Sequence, residues 1–278
     1  MYLAAPDHMA YNIDRNDAEE PSLAEMVTKS LEILTHATSD SDQGFFLVIE
    51  GSRIDMAAHS NDPATHLQEV LVYNQVVEIV TKYVDARSDT IMISTSDHET
   101  GGFSLGKSFF EGVPEYLWRP EKLVSLKNST IRLAADMIEA RKTKRGNEYR
   151  NYIESTILQG WLKLGVKDYT FADVVYLSNT SKKIDLLDWY LGTMLSSRAN
   201  LGWSSHGHSG VDVNLYAHGP DSNELRGNRE NTEIRDFIVK FLGLQNSLES
   251  VANLLKSLKM RPWKGVPDLL SVFVDHAY

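Results

Sequence analysis

The sequence predicts an α/β protein built on a doubly wound, mainly parallel sheet. Two apolar runs, at 45–50 and 90–97, each end on an acidic residue, which is typical of buried parallel strands. A helical pattern over 63–86, with most of its apolar residues on one face, separates the two runs. Strand, long helix and strand together form a βαβ unit, whose two strands lie parallel.

The remaining elements follow in order along the chain. Ser22 and Glu25 form a capping-box pattern that predicts the start of a first helix. Between 101 and 201, glycine and aromatic residues give way to helical stretches, which predicts a helical subdomain inserted above the sheet. Residues 211–216 alternate with period two, which predicts a strand that returns the chain to the core. Helices are predicted at 128–142, 147–164, 183–195 and 231–242.

This order of elements predicts three segments. Residues 1–100 form the α/β core and carry the first two of three polar clusters described below. Residues 101–201 form a crown-like inserted subdomain. Residues 202–278 return to the core and end in helices and a tail.

Composition and charge exclude several classes of function. The net charge of −10 leaves no basic patch for the phosphates of a nucleic acid. No apolar segment approaches the roughly 18–20 residues of a membrane span, and the first residues show no signal-peptide pattern. The chain has no cysteine, so disulfides and thiolate zinc sites are excluded. Any metal site must therefore be built from histidine, aspartate and glutamate.

Two polar clusters follow the first two predicted strands, where a doubly wound sheet places its ligands. In the first cluster, Asp55 and His59 are four residues apart, so one helical turn puts both side chains on one face. Glu50 ends the strand just before them and could reach a neighbouring ion. The second cluster consists of Asp97, His98 and Glu99, at the end of the strand at 90–97 and directly after it. Each pattern alone is common on exposed surfaces.

The third cluster directly precedes the strand at 211–216 and contains His206 and His208. The three clusters offer only oxygen and imidazole ligands at three predicted strand ends. That combination favours zinc with carboxylate ligands, and two such ions about 3.5–4 Å apart form a clamp for phosphoryl transfer. Period-two geometry cannot choose between the two histidines, since both would point the same way.

The three clusters resemble the metal-binding segments of the alkaline phosphatases, in particular the fungal vacuolar repressible branch. The segments concerned are EGSRIDMAAH (50–59), SDHETGG (96–102) and HGHSGVDV (206–213). Segments 5–23 and 225–228 agree with the same branch, so the resemblance extends over residues 4–242. It implies the alkaline-phosphatase variety of the α/β fold and the hydrolysis of phosphate monoesters.

The resemblance also implies two zinc ions and one magnesium ion. Its motifs assign Asp55, His59 and His208 to the first zinc, Asp97 and His98 to the second, and Glu50 to magnesium. The family's histidine is followed at two positions by glycine and at four by aspartate, an arrangement that His208 has and His206 lacks. His206 is then a group beside the metal site, a phosphate-facing group or a solvated loop residue.

The family's nucleophile is missing from this sequence. The family takes its serine from an Asp-Ser-Ala segment, and no such tripeptide occurs in the chain. A bridging aspartate, a magnesium-binding threonine and a phosphate-binding arginine also come from the family's first half. Met56 stands where relatives often carry a charged or aromatic residue. We therefore expect an N-terminally truncated chain that holds no catalytic serine and is inactive by itself.

Two alternatives remain open at this point. The chain could belong to another branch of the same metal-dependent superfamily, such as a phosphodiesterase or phosphopentomutase, or it could be a non-catalytic metal-binding protein. The resemblance further implies small phosphate monoesters as substrates, a homodimer, and a vacuolar or secretory-pathway location. Asn128 and Asn179 begin glycosylation acceptor triplets within the predicted insertion.

Overall fold

Helices and strands follow one another largely in the predicted order. The computed structural model describes residues 8–107, 117–165, 168–180 and 183–257. The α-helices are α1 (Leu23–Ala37), α2 (Arg53–His59), α3 (Pro63–Asp85), α4 (Thr130–Ala140), α5 (Gly146–Tyr152), α6 (Phe171–Thr180), α7 (Ile184–Ala199), α8 (Asn231–Phe241) and α9 (Gln245–Ser257). The strands are β1 (Met92–Thr95), β2 (Glu99–Thr100), β3 (Ser104–Leu105), β4 (Leu201–Gly202), β5 (His208–Ser209) and β6 (Leu215–His218). A π-helix (Ile153–Trp161) continues α5, and short 3₁₀ helices lie at Pro120–Lys122 and Ser222–Leu225.

The chain divides into two compact units. One comprises Met1–Tyr83 and Ser96–Val213, and it contains every predicted metal ligand. The other comprises Val84–Thr95 and Asn214–Tyr278, and it contains the pair of strands β1 and β6. The division at residues 100 and 201 that the sequence suggested stays a prediction. Among the described helices, none is both long and apolar enough to cross a membrane.

The larger hydrophobic core of the first unit lies among the helices of the predicted insertion. Side chains of α4 and α7 that are at most 1% exposed meet at its centre: Leu133, Met137, Leu187, Leu191 and Leu195. The α7 leucines recur every four residues, which places them on one stripe of the helix. Burying each of them stabilises the fold by about 1.5–3 kcal/mol. The helix α6 also joins this core, although no pattern in the sequence predicted it.

A second core cluster joins α1, α3 and the segment 45–49. Val27 and Leu31 of α1 and Val76 of α3 are buried, and alternate side chains of the segment (Phe45, Leu47 and Ile49) pack against them. The opposite face is open, because Phe46 is 60% exposed and Val48 is 73% exposed. The prediction of a strand at 45–50 buried on both faces is therefore wrong. In the described chain this segment has no strand partner, and no layer covers its second face.

The strand pairs in the described residues are antiparallel, whereas the sequence predicted mainly parallel pairing. β1 pairs with β6 in the register Met92↔His218 to Thr95↔Leu215. A sheet of this fold class commonly carries an antiparallel edge strand, so such a pair does not conflict with the class itself. β2 pairs with β5 and β3 with β4. The ladder of β2 and β5 contains the predicted ligand His208 and directly follows Asp97 and His98.

Candidate metal centre

Helix α2 presents Asp55 and His59 on one face. Its opposite face is buried through Ala57 and Ala58, so the helix can lie in only one rotational orientation. Asp55 lies in the first turn and His59 in the last, where an acid and a base each suit the helix dipole. Their side chains meet with Asp55 Oδ2 3.3 Å from His59 Nε2, and each is about two-fifths exposed. The helical spacing predicted from the sequence is confirmed.

The ladder between β2 and β5 brings His208 to the same place. Thr100 pairs with His208 in this ladder, and Thr100 also donates its hydroxyl hydrogen bond to Asp55. As a result, His208 Nε2 lies 3.1 Å from His59 Nε2 and 3.7 Å from Asp55 Oδ1. In the described part of the chain, Asp55, His59 and His208 form a group whose ligand atoms all lie within 4.8 Å of one another.

The chemistry of this three-residue group fits zinc. Four ligands around zinc at about 2.0–2.1 Å lie roughly 3.3 Å apart when they are tetrahedral. His59 Nε2 lies 3.1 Å from His208 Nε2 and 3.3 Å from Asp55 Oδ2, which is close to that value. The 3.7 Å separation between His208 Nε2 and Asp55 involves the other carboxylate oxygen, Oδ1. His59 Nδ1 lies 2.5 Å from the carbonyl of His206, which can only accept a hydrogen bond. The proton is therefore on Nδ1, and the lone pair of Nε2 points into the group. Partial burial, together with neighbouring His98, lowers the pKa of His208 and favours the neutral form that binds metals.

Asp97 and His98, the second pair of predicted ligands, lie next to this group. The His98 ring stacks on the His208 ring, with centroids 3.5 Å apart and an interplanar angle of 22°. His98 Nε2 lies 3.2 Å from Asp97 Oδ2. His98 Nδ1 lies 3.2 Å from the Thr100 hydroxyl, so Nδ1 can donate to Thr100 while Nε2 stays beside Asp97. The second predicted pair is thus assembled, and it adjoins the first group.

Glu50 lies in neither of these two sets of predicted ligands in the described part of the chain. It is an exposed residue at the end of the segment 45–50. Across the described residues, no hydrogen bond or ion pair joins it to Asp55, His59 or His208. Its assignment to magnesium therefore still depends on the motif alone.

Glu99 belongs to the second polar cluster, but the sequence analysis gave it no role. Its carboxylate accepts hydrogen bonds from the backbone N–H of Gly102 at 3.1 Å and of Phe103 at 2.9 Å, and from the Ser209 hydroxyl. Although burial opposes the effect, the hydrogen bonds from Ser209, Phe103 and Gly102 lower the pKa of Glu99. Glu99 thereby ties the turn after Asp97–His98 to β5, which carries His208. The available signal was an acid directly after Asp97 and His98, with one threonine between it and a pair of glycines.

The structure shows what His206 and Met56, whose roles the sequence did not decide, contact. His206 is half-buried, and its ring stacks on Trp189 with centroids 4.2 Å apart, so it is not a solvated loop residue. Met56 accepts a hydrogen bond through its sulfur from Arg53 Nη1 at 2.9 Å. Arg53 also lies over the ring of Tyr11, 3.7 Å from its centroid. Met56 therefore contacts the arginine that precedes the ligands on α2.

Comparisons with known proteins support the resemblance. The model of the alkaline phosphatase family matches residues 1–244. The alkaline phosphatase of Schizosaccharomyces pombe is 38% identical over 262 residues, which are 94% of this chain and 47% of that protein. The repressible alkaline phosphatase of Saccharomyces cerevisiae is 36% identical, covering 92% of this chain and 47% of that protein. The chain thus spans about half the length of these curated relatives.

Solved structures give the same result for the fold. The cold-active alkaline phosphatase of a psychrophilic Shewanella species superimposes with a TM-score of 0.68 at 29% identity. The match covers 84% of this chain and 53% of the Shewanella chain. The α/β fold class predicted from the sequence is thereby confirmed, with the pairing of the described strands corrected as above.

Proposed function

We propose, given that this chain belongs to the alkaline phosphatase family, that it forms the metal-binding part of an enzyme that hydrolyses phosphate monoesters. The observation that carries the proposal is the convergence of Asp55, His59 and His208. These residues come from two distant parts of the chain and offer one carboxylate and two imidazoles with suitable separations. We assign them to a first zinc ion.

A second zinc beside Asp97 and His98, and a magnesium ion at Glu50, belong to the same proposal. The stacking of His98 on His208 supports the second zinc, because it puts the two sets of ligands side by side. Family similarity alone supports the magnesium. We extend the proposal, from the family resemblance, to a homodimer and to a vacuolar or secretory-pathway location.

Zinc bound here would act as a Lewis acid towards the oxygens of a phosphoryl group. The residues of this chain contribute orientation and access. Thr100 hydrogen-bonds to Asp55 and restricts the rotation of its carboxylate. The side chains of Asp55 and His208 are 38% and 43% exposed, so a small phosphate ester can approach the group from solvent. The Asp-Ser-Ala segment does not occur in these 278 residues, so we propose that this polypeptide alone does not turn over phosphate esters.

A non-catalytic zinc-binding role is the second candidate. The observation in its favour is that the first group is complete within this chain, whereas the family's nucleophile segment does not occur in its sequence. The two candidates agree on zinc binding and differ in whether the bound metal serves phosphate ester hydrolysis.

Zinc titration with a competing chromophoric chelator tests zinc binding, on which the two candidate functions agree. The chain should bind zinc, and the substitutions Asp55→Ala, His59→Ala and His208→Ala should each abolish binding at the first site. His218→Ala is the matched control, since this half-exposed histidine pairs with Asp85 in the other compact unit. If the folded chain binds no zinc, or if the control weakens binding equally, the assignment of the first site is wrong.

A chimeric enzyme tests whether the bound metal serves phosphate ester hydrolysis. In it, this chain replaces the matching 47% of the S. pombe alkaline phosphatase. The chimera should hydrolyse a chromogenic phosphate ester, lose that activity with a chelator and regain it with zinc, and the substitution His208→Ala should remove it. A folded, zinc-loaded chimera without turnover would leave the non-catalytic role as the better explanation.

A further inference from the structure

Helix α7 packs against the residues that directly follow the ligand His59. Asp188, Gly192 and Ser196 form a stripe with four-residue spacing on this helix. Asp188 accepts a hydrogen bond from Ser60 Oγ at 2.6 Å, and Ser196 Oγ donates to the carbonyl of Asn61 at 3.3 Å. At Gly192 an added Cβ would lie 2.7 Å from the Asn61 carbonyl. The end of α2 is therefore held against α7 with no space between them.

The same helix carries Trp189, whose ring stacks on the ring of His206. The ring centroids are 4.2 Å apart and the interplanar angle is 21°, so the two rings lie nearly parallel. His206 Nδ1 lies 2.7 Å from the carbonyl oxygen of His59. That carbonyl belongs to the last turn of α2, where no further helical turn supplies a donor. The His206 ring supplies the missing donor, and Trp189 holds the ring in place.

A second hydrogen bond runs in the opposite direction between the same two residues. His59 Nδ1 donates to the carbonyl of His206 at 2.5 Å. The ring of each histidine thus binds the backbone of the other, which fixes both the position and the tautomer of the His59 ring. With the proton on Nδ1, the lone pair of His59 Nε2 faces Asp55 and His208.

We propose that His206, held by Trp189, is a positioning residue that orients His59 as a metal ligand. The inference rests on the proposed function only in that it takes His59 to be a ligand. Partners that hold the second nitrogen of a ligating histidine typically contribute 10–100-fold to metal affinity. Removing the His206 ring leaves its carbonyl in the chain but releases the segment that aims the carbonyl at His59.

Three substitutions separate this role from simple packing. His206→Phe keeps an aromatic ring against Trp189 but removes the donor to the His59 carbonyl. His206→Asn keeps a donor at the position of Nδ1, because the amide nitrogen of asparagine is isosteric with that atom. Trp189→Ala removes the stack, and Trp161→Ala is its control, since Trp161 is a similarly exposed tryptophan at the end of the π-helix.

The first measurement is made without metal, by ¹⁵N NMR of the histidine rings. Wild-type His59 should carry its proton on Nδ1, His206→Phe should give a mixture of tautomers, and His206→Asn should restore the wild-type state. An unchanged tautomer in His206→Phe would overturn the proposal. This measurement decides the question even if the wild type binds no zinc, a result that would refute the proposed function separately.

The second measurement is zinc affinity by competition with a chelator. His206→Phe should weaken binding by about 10–100-fold, while His206→Asn should stay within about threefold of the wild type. Trp189→Ala should weaken zinc binding measurably, and Trp161→Ala should leave it unchanged. Circular dichroism and thermal unfolding of the metal-free variants identify any that fail to fold. Wild-type affinity in a folded His206→Phe variant would overturn the proposal.

Discussion

Replacing Asp188 with asparagine should change how the stability of the protein depends on pH. Asp188 is 3% exposed and accepts hydrogen bonds from Ser60 Oγ and Thr130 Oγ1, each at 2.6 Å. Asp62 is also buried, and it lies 2.9 Å from the same Thr130 hydroxyl, whose single proton cannot serve both carboxylates. Burial, and to a lesser extent the charges of Asp62 and Asp185, raise the pKa of Asp188 to about 7.

The sign of the effect follows from the raised pKa. Asp188 has a pKa of about 7 in the folded chain and about 3.8 in the unfolded chain, so the folded state binds more protons between these values. The free energy of unfolding therefore falls as pH rises through this interval. The difference of roughly three pKa units between the folded and unfolded states corresponds to about 4 kcal/mol in the free energy of unfolding. Between pH 5 and pH 8, the ionisation of Asp188 lowers the free energy of unfolding by about 2–3 kcal/mol.

Urea unfolding at a series of pH values measures this loss. The wild type should lose about 2–3 kcal/mol more than Asp188→Asn between pH 5 and pH 8, because asparagine cannot ionise. Asp185→Asn is the matched control: it removes an exposed carboxylate from the same helix and should keep most of the wild-type slope. Equal pH slopes for the wild type and Asp188→Asn would refute the reasoning.

Three further outcomes are expected. Gly192→Ala should lower the free energy of unfolding in urea by about 1–3 kcal/mol, because the added Cβ would lie 2.7 Å from the Asn61 carbonyl. This clash outweighs the higher helix propensity of alanine, so a more stable variant would contradict the reasoning. Ser129→Ala should lower the free energy of unfolding by about 1–3 kcal/mol, since the buried hydroxyl caps α4 and donates to Asp14. Ser22→Ala, at the partly exposed cap of α1, should lower it by about 1 kcal/mol or less, and equal losses would count against the role of burial. Zinc at about 100 times its dissociation constant should raise the free energy of unfolding by about 2.7 kcal/mol, and a chelator should remove this effect. A thermal unfolding temperature that does not depend on zinc would count against binding to the folded state.

Local patterns in the sequence determined most of the helices and the core of the candidate site. The spacing of Asp55 and His59 predicts one helical face because the period of a helix is set by its own backbone. The helix over 63–86 and the capping box at Ser22 were likewise predicted by local signals, and the structure has α3 at Pro63–Asp85 and the capping box at α1. The choice of His208 over His206 came from the resemblance to the family's motif, because period-two geometry could not separate them, and the structure brings His208 to Asp55 and His59.

Tertiary structure decided which segments, distant in the sequence, pack against each helix and strand. The apolar run at 45–50 has the composition of a buried strand, yet only packing shows that one of its faces meets α1 and α3 while the other is exposed. The antiparallel pairing of β1 with β6 also depends on a partner more than a hundred residues away. His206 lies 147 residues from His59, and Asp188 lies 128 residues from Ser60. Periodicity records which side of an element is apolar, but hydrogen bonds between remote segments form only once the chain has packed, so no local pattern can encode them.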